Sequence, residues 1–328
     1  MLAMRRRTLI PAGVLLVAAV IGRAQTNAPT NWTEYGGGKG QAYSELNEIN
    51  ASNVTRLQTT WTYHTRESGL WENTPVIVDN VVYFATQRHR VVALDATTGS
   101  ELWTFDPKHN VGKRGVTYWP GDSTTGPRVF VAGDALIALD AKHGTPIDSF
   151  GQHGSVDMRA GIADAYPGAL YSISSPPAVY KNLLIVGPAT QEGPSKGPSG
   201  DPRAFDARTG KLVWRFHTVP QPGEPGNDTW GPDGWKDRSG PSQWGGITVD
   251  AERGLAFVPT GNPADSFYGG DRVGTNLYAN SVVALDAATG ALRWYFELAH
   301  HDIFDFDVSA PPALVDATVE GRKVPAIA

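Results

Sequence analysis

Hydrophobic positions along this 328-residue chain come in short runs rich in Val, Ile, Leu and aromatic residues. Residues 75–79, 81–86, 177–180 and 183–187 are examples, set off by Pro, Gly, Asp or Asn. Runs of this length and composition, punctuated by turn formers, predict β-strands. Such runs lead into a phrase that recurs four times: VVALDATTGSELWTF at 91–105, LIALDAKHGTPIDSF at 136–150, PRAFDARTGKLVWRF at 202–216 and VVALDAATGALRWYF at 282–296. Its common core is Ala, any residue, Asp-Ala, two residues, Gly, then a further apolar strand. The Asp and the Gly mark a tight turn between the last two strands of each unit. Asp bonds to backbone N–H groups just ahead of it, and Gly accepts a positive φ without a steric penalty.

The turn Asp residues stand at 95, 140, 206 and 286, spaced by 45, 66 and 80 residues. The first spacing is the size of one four-stranded propeller blade, and the longer ones require insertions. Segments 190–201 and 220–242, both rich in Gly, Pro and polar residues, supply two, and 262–279 supplies a third. The expected fold class is all-β: a β-propeller of four-stranded antiparallel blades, with insertions that build a site. A fifth unit opens at 311–318, and the chain ends within it.

Composition narrows the function classes. Lys and Arg number 28 against 33 Asp and Glu, a net charge of −5, and no basic stripe is present, so nucleic acid is not an expected partner. High Gly (37) and Pro (24) with only 19% charged residues suit a turn-rich β protein. The chain has no Cys, which excludes disulfides, zinc thiolate sites, Fe–S clusters and haem attached at C-x-x-C-H within these residues. At the N-terminus, Arg5, Arg6 and Arg7 precede an apolar stretch at 9–21, and Gly22-Arg23-Ala24 offers small residues before a cut at Gln25. Residues 1–24 thus read as a signal peptide or N-terminal anchor, with a periplasmic destination for residues 25–328. The apolar stretch is short for a membrane span. Gly36-Gly37-Gly38-Lys39-Gly40 is not a phosphate loop, because neither a Ser/Thr nor a helix pattern follows the Lys.

The phrases ALDATTGSELW, AFDARTGKLVW and ALDAATGALRW resemble the tryptophan-docking motif of PQQ-dependent (quinoprotein) dehydrogenases. In that family the Trp of one blade packs on a neighbouring blade's motif. Trp103, Trp214 and Trp294 occupy the Trp position, whereas the second copy has Asp148 there, so one docking contact is expected to be missing. The resemblance runs from about residue 31 to the end. It implies an eight-bladed ring of which about four and a half blades lie in this sequence.

The same resemblance implies a site for pyrroloquinoline quinone (PQQ) and Ca²⁺. Glu192 in GPATQE, Asn262 in LAFVPTGNP and Asp305 in HHDIFDFD have contexts similar to the family's metal-binding Glu, its metal-binding Asn and its catalytic Asp. All three supply oxygen, the donor a hard cation requires. PQQ is flat and carries three carboxylates, so its site needs an aromatic floor and cationic or hydroxyl partners. Trp244 in QWGGITVD resembles the stacking Trp, and Arg114 in KRGVTYWPGD resembles the family's carboxylate- or quinone-pairing Arg. Glu72 in WENTPVIV and Ser174 in SISSPPAV resemble two further hydrogen-bonding positions. The two adjacent Cys common in the alcohol dehydrogenases of the family are absent from DPKHNVGKRG. His300-His301-Asp302-Ile303-Phe304-Asp305 is close to a motif of the membrane-bound glucose dehydrogenase branch. Both features favour a sugar or polyol over a simple alcohol as substrate, and the resemblance implies an electron acceptor such as ubiquinone or a cytochrome c. Asp305 is then the expected general base. Two other readings use the same repeats: a non-catalytic propeller that binds proteins, and a propeller hydrolase or lyase working through paired carboxylates.

Overall fold

The computed structural model describes residues 31–328; the signal or anchor expected at 1–24 lies outside them. Four antiparallel four-stranded sheets follow one another along the chain. The first is β1 (Val76–Val78), β2 (Val81–Ala85), β3 (Val91–Asp95) and β4 (Glu101–Phe105). The second is β5 (Thr117–Trp119), β6 (Arg128–Ala132), β7 (Ala135–Asp140) and β8 (Ser155–Asp157). A two-stranded ribbon, β9 (Tyr171–Ser172) with β12 (Ala189–Thr190), flanks the third sheet of β10 (Ala178–Tyr180), β11 (Leu183–Val186), β13 (Arg203–Asp206) and β14 (Leu212–Arg215). The fourth is β15 (Thr248–Asp250), β16 (Leu255–Pro259), β17 (Ser281–Asp286) and β18 (Leu292–Glu297). The fifth unit contributes β19 (Leu314–Val319) and β20 (Arg322–Ile327). This is the blade series the repeats predict.

Alternation explains why the middle strands read as unbroken apolar runs. In β6, Val129 and Val131 enter the core shared with the first sheet, while Phe130 and Ala132 enter the core shared with the third. Successive side chains of a strand point to opposite faces, so a sheet covered on both faces needs apolar residues throughout. A third core joins the third and fourth sheets, with Ile185, Ala204 and Trp214 against Val258, Val283 and Ala287. The cores therefore lie between blades rather than within any one of them.

Each repeat's turn is built as its sequence implies. Asp95 Oδ1 accepts the N–H groups of Thr97 and Thr98, Asp206 those of Arg208 and Thr209, and Asp286 those of Ala288 and Thr289. For Asp95 these bonds, the Thr98 N–H foremost, hold the carboxyl below the ordinary aspartate range. Gly290 closes its turn at φ 72°, and a Cβ there would lie 2.7 Å from the Trp214 ring. The indole of Trp214 packs over that glycine and donates to the Ala287 carbonyl at 3.1 Å. Trp103 does the same two blades earlier, over Gly144, donating to Ala141 O at 3.1 Å. The expected gap at Asp148 is real: Gly210 is covered by Val156, Phe150 and the Gly151 backbone instead of a Trp. A further docking contact comes from Trp61, which the repeat phrase does not include. Its indole donates to Ala96 O at 3.0 Å over Gly99. Trp294 has no such turn beneath it among the described residues and is 40% exposed.

The first strands of the blades run side by side. Thr74 N donates to Arg114 O at 3.0 Å, and Thr117 Oγ1 donates to Pro177 O at 2.7 Å, linking the first sheet to the second and the second to the third. The glycine-rich 36–40 segment is structural. Lys39 O accepts from Leu314 N at 2.9 Å, while the Trp32 backbone pairs with Ile77, so residues 32–39 tie the first blade to the fifth unit.

Candidate active site

Loops at one end of these strands converge on a cavity of about 350 Å³, within the range of small-molecule sites. Arg114, Glu192, Trp244, Asn262, Asp305 and Asp307 are among its lining residues. Glu72 and Ser174 do not line it directly. They join it through Arg114, which lies 3.5 Å from Glu72 Oε2 and donates to Ser174 Oγ at 3.1 Å.

Local structure explains the convergence. The β9–β12 ribbon carries Ser174 two residues past one strand and Glu192 two residues past the other. The TGNP turn follows β16 directly, and Thr260 Oγ1 anchors it by donating to the Tyr278 carbonyl at 2.6 Å. The three insertions knit together as a wall. Ser239 N donates to Ser195 O at 2.9 Å, Arg238 pairs with Asp271 at 3.0 Å, and Trp230, fully buried, donates to Leu277 O at 3.2 Å. Asp265 N donates to Glu192 O at 2.6 Å, tying the two metal-candidate loops to each other.

Trp244 is fixed on both its polar edges. Its carbonyl accepts from Arg114 Nη1 at 2.8 Å and from Ser175 Oγ at 2.5 Å, and its indole N–H donates to Asp307 Oδ2 at 2.6 Å. The Arg114 guanidinium stands 5.1 Å from the Trp244 ring centre, a cation–π contact. An indole held in this way presents a rigid aromatic surface beside a cation, the pairing that a flat polycarboxylate needs.

The loop 302–307 carries three aspartates with three different environments. Asp302 is 5% exposed; its Oδ2 accepts Asn262 Nδ2 at 2.7 Å and Phe306 N at 2.9 Å. Burial would raise its carboxyl, but the hydrogen bonds from Asn262 and from the Phe306 and Phe304 N–H groups hold it below the ordinary range. Asp307 accepts from Trp244 and, at 2.7 Å, from Asn262 N. Here burial prevails over those bonds and pushes the carboxyl up. Asp305 is exposed to the cavity in the left-handed region (φ 66°), and its carboxylate has no hydrogen-bond partner among the described residues. Beneath the loop, the fully buried Arg272 donates to Asp302 O at 2.6 Å and to Asn276 Oδ1 at 2.6 Å. His301 is a loop tether, with Nδ1 2.7 Å from Gly274 O.

The Asn262 amide bears on metal binding. Its nitrogen is committed to Asp302, whereas its oxygen is buried and has no partner. A buried acceptor left unpaired is costly, and a cation at that point satisfies it. Among the described residues no three His, Cys, Asp or Glu side chains gather to hold a metal by themselves. The candidate set is instead two carboxylates, Glu192 and Asp305, with one amide oxygen, which is hard-cation chemistry. Sequence reasoning missed Asp302, Asp307, Arg272 and Trp61. The first two sit in the quoted HHDIFDFD stretch, but nothing in that string ranks its three aspartates.

The family of the glucose/ethanol/alcohol dehydrogenase β-propeller domain, named for PQQ, matches residues 32–328. The chain belongs to the PQQ-dependent dehydrogenase family. Among its relatives is quinoprotein glucose dehydrogenase A of Acinetobacter calcoaceticus, 36% identical over 92% of this chain and 42% of that protein. The quinoprotein glucose dehydrogenase of Escherichia coli is 33% identical over 92% and 41%. In structure, the quinohemoprotein alcohol dehydrogenase of Comamonas testosteroni aligns with a TM-score of 0.77 at 30% identity, covering 90% of this chain and 45% of its own. The chain thus spans less than half the length of these PQQ-dependent relatives.

Proposed function

We propose that this chain forms the PQQ- and Ca²⁺-binding part of an exported, periplasmic dehydrogenase. Its substrate is the hydroxyl of a sugar, polyol or alcohol, and its electrons pass to a respiratory acceptor such as ubiquinone or a cytochrome c. The observation that carries this reading is the division of labour in loop 302–307. Two carboxylates are bound to the Trp244 and Asn262 supports, and the third, Asp305, stands free in the cavity.

When bound, PQQ supplies the hydride acceptor and Ca²⁺ supplies a Lewis acid beside it. Glu192, Asn262 Oδ1 and Asp305 would hold the cation. Trp244 would support the flat ring system, and Arg114, backed by Glu72 and Ser174, would pair with its carboxylate or quinone oxygens. Asp305 accepts the substrate hydroxyl proton at a carboxylate oxygen. A sugar or polyol substrate agrees with the missing Cys pair, with the HHDIFDFD motif and with the glucose dehydrogenases among the relatives.

The test is reconstitution of the full-length protein with PQQ and Ca²⁺, followed by dye reduction with sugars, polyols and simple alcohols. Reduction that requires both additions, and is fastest with a sugar or polyol, is the expected result. Failure to take up PQQ would leave the protein-binding propeller. Turnover without quinone or electron acceptor would indicate a hydrolase or lyase.

A further inference from the structure

From the geometry around Asp307 we infer a positioning residue: one carboxylate that sets the aromatic floor against the Asn262 turn. This rests on the PQQ reading of the same site. Asp307 comes from the acidic loop, Trp244 from the approach to β15, and Asn262 from the turn after β16, so three separate segments meet at a single side chain. Each carboxylate oxygen has its own donor: Oδ2 takes the Trp244 indole N–H at 2.6 Å, and Oδ1 takes the Asn262 backbone N–H at 2.7 Å. Charge-assisted bonds of this length are the stronger kind, and two of them on a planar group fix both angle and distance.

The surroundings are shaped for this contact. Residue 261 is Gly, and a Cβ there would collide with the Asp307 carboxylate. Gly245, next to Trp244, is likewise pressed against the Ser309 backbone. Both partners' backbones therefore approach the 307–309 segment where no side chain fits. With the Asn262 amide nitrogen bound to Asp302, the floor and the unpaired Asn262 oxygen have one relative position. Asp307 thereby acts on a bound ring and cation through Trp244 and Asn262, without having to touch the reacting atoms.

Two measurements on the full chain test this. In a ¹H–¹⁵N spectrum of chain labelled at its ten Trp indoles, Trp244→Phe identifies the Trp244 resonance. Asp307→Ala and Asp307→Asn are expected to move that resonance and to leave the docking indoles in place. In PQQ titrations with Ca²⁺ present, Asp307→Ala is expected to weaken binding roughly 10–100-fold, with Asp307→Asn in between because it keeps one acceptor oxygen. The loss is expected to shrink in a Trp244→Phe background, where the indole N–H is already gone, whereas a general structural defect would multiply in both backgrounds. If Asp307→Ala gives no cooperative melt, the same cycle with Asp307→Asn decides. An unmoved Trp244 resonance, unchanged PQQ affinity, or equal losses in the two backgrounds overturns the assignment to Asp307. A wild-type chain that takes up no PQQ overturns the proposed function itself, and the positioning role with it.

Discussion

Replacing Asp305 with Asn is expected to lower dehydrogenase turnover of the reconstituted full-length protein by about 10²–10⁴-fold, the contribution of a positioned general base. The amide preserves the side chain's shape and one oxygen donor but takes no proton at neutral pH. Asp305 has no hydrogen-bond partner among the described residues, so its replacement breaks no hydrogen bond of the surrounding fold. The melting temperature is therefore expected to stay near that of the wild type. PQQ uptake is expected to persist, because Trp244 and Arg114 are untouched. Steady-state dye reduction beside a PQQ titration separates the two effects. A variant that turns over normally with bound PQQ would remove Asp305 from the chemistry.

Trp214→Ala is expected to destabilise the chain by about 3–5 kcal/mol, the cost of truncating a fully packed aromatic in a core. Trp214 is 6% exposed, covers Gly290 and hydrogen-bonds the Ala287 carbonyl, so its removal opens the junction of the third and fourth blades. That junction carries the β16 turn on which Asn262 sits. Trp294 holds the same place in the repeat but is 40% exposed, and Trp294→Ala is expected to cost about 1 kcal/mol or less. Urea unfolding of the two variants beside the wild type measures the contrast. Equal losses would mean that docking on the Asp-Ala-x-x-Gly turn is not what holds neighbouring blades together.

The blades were legible in the sequence because each closes on the same turn, and that turn has a local cause. An Asp that caps the N–H groups ahead of it and a Gly at positive φ are needed wherever the last two strands of a blade meet. Asp148 in place of Trp was likewise readable as a missing contact, and Val156 with Phe150 fills the space. Trp61 escaped because its turn partner, Gly99, lies ahead of it in the next unit, while Trp61 itself belongs to no complete phrase. Strands β9 and β12 are two residues each, too short for any periodicity, yet they bring the Ser174 and Glu192 loops together.

Within the site, residue types were readable and roles were only partly so. Trp244, Asn262 and Asp305 stood out through their contexts. That Asp302 orients the Asn262 amide, or that Asp307 holds Trp244, depends on contacts spanning 40 and 63 residues, which no local pattern encodes. Arg272 looks like an ordinary loop cation in the sequence. Its complete burial under the acidic loop, lined by carbonyl oxygens, is a tertiary fact.

The most direct measurement is a titration of PQQ into the chain with Ca²⁺ present and again after chelation, with Trp244→Ala beside the wild type. Saturable one-to-one binding is predicted, weakened by removal of Ca²⁺ and weakened roughly tenfold or more by loss of the indole floor. No saturable binding, or binding indifferent to both Ca²⁺ and Trp244, would contradict the assignment of this cavity to PQQ and calcium.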